Sequence, residues 1–151
     1  MVFKNKYFFL SNFYPCVVTL LIGDKVLSFK NSEAAYQAQK NESLAENFIL
    51  LKGLEAKKLG ENLKLTTDDW DTYRLYAMAR ALNSKFKDPS LMFQLKQVRE
   101  PIVEDNYWND TYWGVCGGVG DNMLGKLLMF IRDNGNDLNI INNFIKNELL
   151  P

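Results

Sequence analysis

The chain has 151 residues, and 18 Lys and Arg balance 18 Asp and Glu, so no global field favours nucleic acid or an anionic membrane. With 47% hydrophobic and 24% charged residues its composition is ordinary for a globular protein. There is no histidine, which excludes Ser-His-Asp and Cys-His nucleophile systems and histidine-based zinc sites and leaves acid–base chemistry to Asp, Glu, Lys, Tyr or water.

The length predicts a single domain over residues 1–151, long enough to bury roughly 68–70% of its unfolded surface. The apolar run in residues 1–10 is too short for a secretory leader, and no segment approaches the length of a membrane span. A cytoplasmic setting is therefore expected, with Cys16 and Cys116 as buried free thiols. Residues 16–22 and 25–29 are rich in Val, Leu, Ile and Phe and are separated by Gly23-Asp24, which predicts a β-hairpin. Asn31 or Ser32 caps a helix running to about Lys40, and Ser43 starts another. Gly53 and Gly60 punctuate the stretch that follows. Thr67-Asp68 caps a longer helix, from Asp69 to about Phe86. Asp88, with Pro89 at the first helical position, opens a helix to about Val98.

Ile102-Val103 reads as a short strand, and residues 105–121 as a loop rich in Trp, Tyr, Asn and Gly, of a length that is usually functional or disordered. Within and beyond it, residues 120–126 imitate a phosphate-binding loop. Leu127, however, stands where magnesium would need Ser or Thr, and no buried strand precedes the segment. An amphipathic helix with Gly125 at a close contact fits better. Asn122 caps that helix, which runs to about Arg132, and Asp137 caps the last one, ending near Leu150. The sum is a mainly α, α+β chain with a small hairpin towards its N-terminal end, without repeats or low-complexity tracts.

The chemically informative element is the first helix, Ser32-Glu33-Ala34-Ala35-Tyr36-Gln37-Ala38-Gln39-Lys40. At ~100° per residue the step from Glu33 to Lys40 is ~700°, nearly two whole turns, so both share one face with Tyr36 and Gln37 between them. Ala34, Ala35 and Ala38 let the helix approach a neighbour closely. The plainer reading is a solvent-facing Glu and Lys on an ordinary surface helix.

Other motifs weigh against that plainer reading. Phe9-Leu10-Ser11-Asn12-Phe13-Tyr14-Pro15 is followed by the hairpin and by the helix with Ser32-Glu33, Tyr36-Gln37 and Lys40. Lys57-Lys58-Leu59-Gly60 comes next, then Trp70 at the head of a helix ending in Lys85-Phe86. Asp110-Thr111-Tyr112-Trp113-Gly114 and the run from Gly120 to Arg132 complete the series. In this order the motifs resemble the YbiA-like (NADAR) N-glycosidase family. The chain departs from the family pattern at Ala34, where a His is common, and over residues 97–101, where a Thr-Gly turn is usual.

The resemblance implies a compact orthogonal helical bundle of the YbiA type with a small N-terminal hairpin. It also implies cleavage of a ribose C1–nitrogen bond; no cofactor is expected, and with no His and no clustered thiols or carboxylates the catalysis is expected to need no metal. The substrate is either a small phosphorylated ribosylamino intermediate of the riboflavin pathway or ADP-ribosylated guanine, including guanine in DNA. The alternatives are a non-catalytic module that binds ADP-ribose or another NAD derivative, and a structural protein that has kept the fold. No membrane and no obligate protein partner are expected.

Breaking a C1–N bond builds positive charge on the ribose and leaves electrons on the departing base, which calls for carboxylates and a protonated acid. Glu33 and Asp110 are the two chosen. Lys40 either forms a Schiff base with the opened sugar or holds a phosphate and orients Glu33 while water attacks; the covalent role is preferred. Trp113 and Trp70 are candidate platforms for a flat base, with Phe13 and Tyr36 behind them and Gly114 beside Trp113 in its motif. Asn12 is read evenly as a sugar or phosphate ligand and as a turn residue. Trp108 lacks a family match and is assigned to core or rim.

Overall fold

Period-2 alternation makes the hairpin. In strand β1 (Val18–Ile22), Val18, Leu20 and Ile22 are buried while Thr19 and Leu21 face outwards. It pairs antiparallel with β2 (Lys25–Phe29), Val18 opposite Phe29 and Ile22 opposite Lys25. Gly23 takes φ +63° in the two-residue turn, a conformation that side chains resist. The strand begins at Val18 rather than at residue 16.

The computed structural model describes residues 1–66 and 68–151, so the expected Thr67 cap lies outside the described residues. Contacts divide the chain into two compact units, Asn12–Lys85 and a second formed by Met1–Ser11 with Phe86–Pro151. Helices predominate in both.

In the unit Asn12–Lys85 the hairpin is followed by α1 (Ser32–Ala38), a 3-10 stretch Glu42–Phe48, α2 (Gly53–Glu61) and α3 (Trp70–Lys85). Helix α1 is the hub, packed on by the hairpin, the 3-10 stretch, α2 and α3, and all seven of its residues are buried. Its alanines, with Val18, Phe29, Phe48, Ala56 and Ala81, form one apolar cluster. Asn31 caps the helix, its side-chain oxygen accepting from Ala34 N at 2.7 Å. The helix stops at Ala38. Lys40 N donates to Gln37 O at 3.1 Å, a tighter turn that takes the chain out of the α geometry. Gln39 ties this end to α3 by donating to Ala77 O at 2.9 Å.

Gly53 and Gly60 do not interrupt the chain; both lie inside α2. Each is needed for close approach. A Cβ on Gly53 would lie 2.5 Å from the Phe13 ring, and one on Gly60 would lie 2.5 Å from Gln37 Cδ.

The other unit holds a 3-10 turn Asn5–Leu10, α4 (Pro89–Gln97), α5 (Met123–Asn134) and α6 (Leu138–Phe144), which a π turn Ile145–Leu149 extends. Asp88 caps α4 as expected, accepting from Ser90 N at 2.8 Å. Ile102-Val103 is not a strand. Instead β3 (Asp105–Asn106) pairs parallel with β4 (Val115–Cys116) within the long loop. Asn122 precedes α5 at φ +53° without capping it, and its amide instead accepts from Glu104 N at 3.0 Å and donates to Ile102 O at 2.9 Å. Gly125 is at a close contact, since a Cβ there would strike Asn122 and Ile102 O. No helix among the described residues is long and apolar enough to cross a membrane.

Candidate active site

Two features deliver Glu33 into the interior. The Asn31 cap starts α1 at Ser32, which places Glu33 in the first turn. The N–H of Glu33 donates to Asn12 O at 3.0 Å, pinning that turn to the preceding segment. Glu33 as a whole is only 8% exposed, which rules out a solvent-facing glutamate. Its Oε1 accepts from Gln37 Nε2 at 2.8 Å, one turn along the same helix.

Lys40 stands beyond the helix end, half-buried, with Nζ donating to Gly60 O at 3.2 Å and 6.0 Å from the centre of the Tyr36 ring. Burial pushes its ammonium below the ordinary lysine value, and the charges of Glu33 and Glu61 push back. Glu33 and Lys40 are thus electrostatically coupled although the helix ends before Lys40. An amine with its charge disfavoured beside a buried carboxylate is a combination able to supply both a nucleophile and a charge-stabilising base.

Aromatic rings flank this pair. Tyr36 and Trp70 lie 5.6 Å apart between centroids, and Trp70 and Tyr73 lie 5.8 Å apart. Trp70 is 7% exposed, so its ring is mostly occupied by its neighbours. Phe13 is exposed at one side and rests on Gly53. The Asn12 side chain is engaged internally: its oxygen accepts from Ser32 Oγ at 2.9 Å and its amide faces Met78 Sδ at 3.5 Å. The backbone carbonyl of Asn12 holds Glu33.

Asp110, Trp113 and Gly114 belong to the unit that contains Phe86–Pro151. Asp110 Oδ1 accepts from Tyr112 N at 3.1 Å and Trp113 N at 2.8 Å, while its own backbone is held at both N–H and C=O by Asn106. No hydrogen bond to Asp110 Oδ2 occurs among the described residues. Trp113 is half-buried and meets Tyr112 edge-on at 4.9 Å. Gly114 is buried where a Cβ would strike Glu104. Trp108 is exposed, edge-on to Tyr107 at 5.2 Å, which makes it rim and not core.

Gln37 and Lys85 stand in the sequence motifs, but neither is given a role there. Gln37 follows Glu33 by one helical turn, a spacing that signals a side-chain bond. Lys85 continues the buried stripe Leu75, Met78, Leu82 of α3 and is fully buried, with Nζ 5.8 Å from the Tyr14 ring centre. Burial lowers its pKa from 10.5 to about 8 against the pull of Cys16. A cavity of about 450 Å³ opens beside the hairpin turn, lined by Asp24, Lys25, Glu42 and Glu46 among others; Glu33, Lys40, Asp110 and the aromatic candidates do not line it. Among the described residues no three His, Cys, Asp or Glu side chains gather where they would hold a metal ion.

Comparison with known proteins places this arrangement. The NMR structure of the E. coli protein YbiA matches with a TM-score of 0.72 and 29% identity, over 88% of this chain and 82% of that one. The fold is accordingly the mainly helical, α+β fold of the YbiA type with its small hairpin. The model of the NADAR domain matches residues 2–134, and the chain belongs to that family. A riboflavin biosynthesis protein of Vibrio vulnificus is 30% identical over an alignment of 134 residues that covers 83% of this chain and 35% of that protein. The chain therefore spans about a third of the length of that curated relative.

Proposed function

We propose that this chain is an N-glycosidase that hydrolyses the bond between ribose C1 and a nitrogen of a base or base precursor. The observation that carries this reading is the pairing of a buried carboxylate, Glu33, with Lys40, an amine whose charge burial disfavours and whose field reaches Glu33. In the reaction the neutral Lys40 amine attacks C1. The C1–N bond breaks, and its electron pair stays with the departing nitrogen, which takes up the proton that the attacking amine has passed to Glu33. Ring opening leaves a Schiff base between Lys40 and the sugar, and water hydrolyses it to regenerate the amine. Glu33 stabilises the positive charge that builds on the ribose and accepts the proton that the amine or the water gives up.

The substrate is either a small phosphorylated ribosylamino compound or ADP-ribosylated guanine. The name of the Vibrio relative supports the first, within the third of that protein that the chain matches. No cofactor and no obligate protein partner enter the proposal. Its setting is cytoplasmic, which the free thiols of Cys16 and Cys116 suit.

The test is incubation with a ribosylaminouracil phosphate and, in parallel, with ADP-ribosylated single-stranded DNA, followed by mass spectrometry of the released base and sugar. Release from either by the wild type and from neither by Glu33→Gln is the expected result. Tight binding without release would make the chain a recognition module for ADP-ribose-like ligands.

A further inference from the structure

The amide of Gln37 sits in a seat built for it. It is 5% exposed, and it lies between the Glu33 carboxylate and the backbone of Gly60. Its orientation is fixed by chemistry. With Nε2 towards Glu33 the contact is a hydrogen bond of 2.8 Å, whereas a flipped amide would set oxygen against carboxylate oxygen. The Oε1 that results is buried and has no hydrogen-bond partner among the described residues. A buried acceptor left open ordinarily costs about 1–3 kcal/mol, so packing alone would favour an apolar side chain here. Gly60 completes the seat, because a Cβ would fall 2.5 Å from Gln37 Cδ and closer still to Oε1. The carbonyl of the same Gly60 receives Lys40 Nζ at 3.2 Å.

We propose that Gln37 is a positioning residue that holds the Glu33 carboxylate in one orientation for the reaction, and that residue 60 is glycine so that this amide can reach it. The part of this that concerns turnover rests on the function proposed above; the part that concerns the amide does not. A carboxylate one turn from its partner on a helix has several rotamers open to it, and the charge-assisted bond from Gln37 favours one of them. Misplacement of a reacting group by a fraction of an ångström lowers the rate while leaving substrate affinity nearly intact.

Two variants of the full chain approach the seat from opposite sides. Gln37→Met removes the amide at similar length. Gly60→Ala keeps the amide and fills its seat; alanine is the better helix former, so a loss there does not come from α2 itself. Each is expected to lower kcat at least ten-fold while KM stays within about three-fold, and the double variant is expected to be no worse than the poorer single one, because both act through Glu33. Losses that multiply in the double variant, or melting temperatures that fall while kcat holds, would reduce Gln37 to packing. A second readout is independent of turnover. The side-chain amide of Gln37 is expected to give a downfield, slowly exchanging proton resonance that Gly60→Ala returns to the position of a free amide. A wild-type resonance already at the free position would overturn the proposal even in an active protein. The expected resonance in a chain that cleaves none of the substrates would leave the positioning of Glu33 standing and retire the N-glycosidase reading.

Discussion

Glu33 is the residue on which most of the chemistry depends, and its burial sharpens the experiment. Glu33→Gln keeps the shape and the acceptor oxygen that receives Gln37 Nε2, yet it carries neither charge nor proton. Turnover is expected to fall well beyond ten-fold, a step worth ~1.4 kcal/mol of barrier, with binding measured by titration largely retained. A variant keeping a tenth of the wild-type rate would remove Glu33 from the centre of the mechanism. Lys85 makes a different prediction. Its folded-state pKa is lowered from 10.5 to about 8 by burial. Below that value folded and unfolded chains both hold the proton, and the burial penalty, roughly 3 kcal/mol, stands in full. Between about 8 and 10.5 the unfolded chain binds more protons, so stability rises with pH; above that window the penalty is gone. Denaturant titrations should show wild type gaining stability across this window relative to Lys85→Met. Parallel curves for the two would mean that Lys85 is not buried as an ammonium.

At the scale of elements, caps and turns were legible in the sequence because they depend on local chemistry. The Asn31 and Asp88 caps and the Gly23-Asp24 turn all follow from neighbours in the chain. What was not legible depends on distant contacts. Gly53 and Gly60 read as breaks, but they are the points where Phe13 and Gln37 press on α2. The parallel pairing of β3 with β4 has only two residues on each side and no periodicity to reveal it. The burial of Glu33 comes from four elements packing on α1, which no spacing rule discloses. The Asp110 loop yields the prediction proper to this scale. Asp110 Oδ1 serves the N–H groups of Tyr112 and Trp113, and an Asn oxygen would serve them as well. Asp110→Asn is therefore expected to keep its melting temperature, whereas Asp110→Ala should lose about 1 kcal/mol of stability; turnover reduced at least ten-fold in Asp110→Asn would add the charge of this carboxylate to the proposed chemistry. Full activity in Asp110→Asn would confine the residue to shaping the loop. Trp113→Ala is expected to weaken substrate binding more than it lowers stability, since its ring is only half-buried. A loss of about 3–5 kcal/mol in a denaturant titration would instead identify a core residue.

For the whole molecule, the family and the fold were recognisable from motifs spread from Phe9 to Arg132, and the family match covers residues 2–134. Motifs carry this far because they record close packing and capping that a particular backbone demands: Gly60 beneath Gln37, Asn122 across Glu104 and Ile102, and Arg132 donating to the carbonyls of Val98 and Glu100. Trapping the covalent intermediate tests the reaction itself. Wild-type protein is turned over with each candidate ribosyl substrate in the presence of borohydride, and its peptides are then weighed. Release of the free base is expected together with a reduced sugar adduct on Lys40, absent from Lys40→Arg, whose guanidinium stays protonated and does not attack. An adduct on a different lysine, or normal base release with no adduct at all, would contradict the role given to Lys40. No base release from any ribosyl substrate would contradict the N-glycosidase itself.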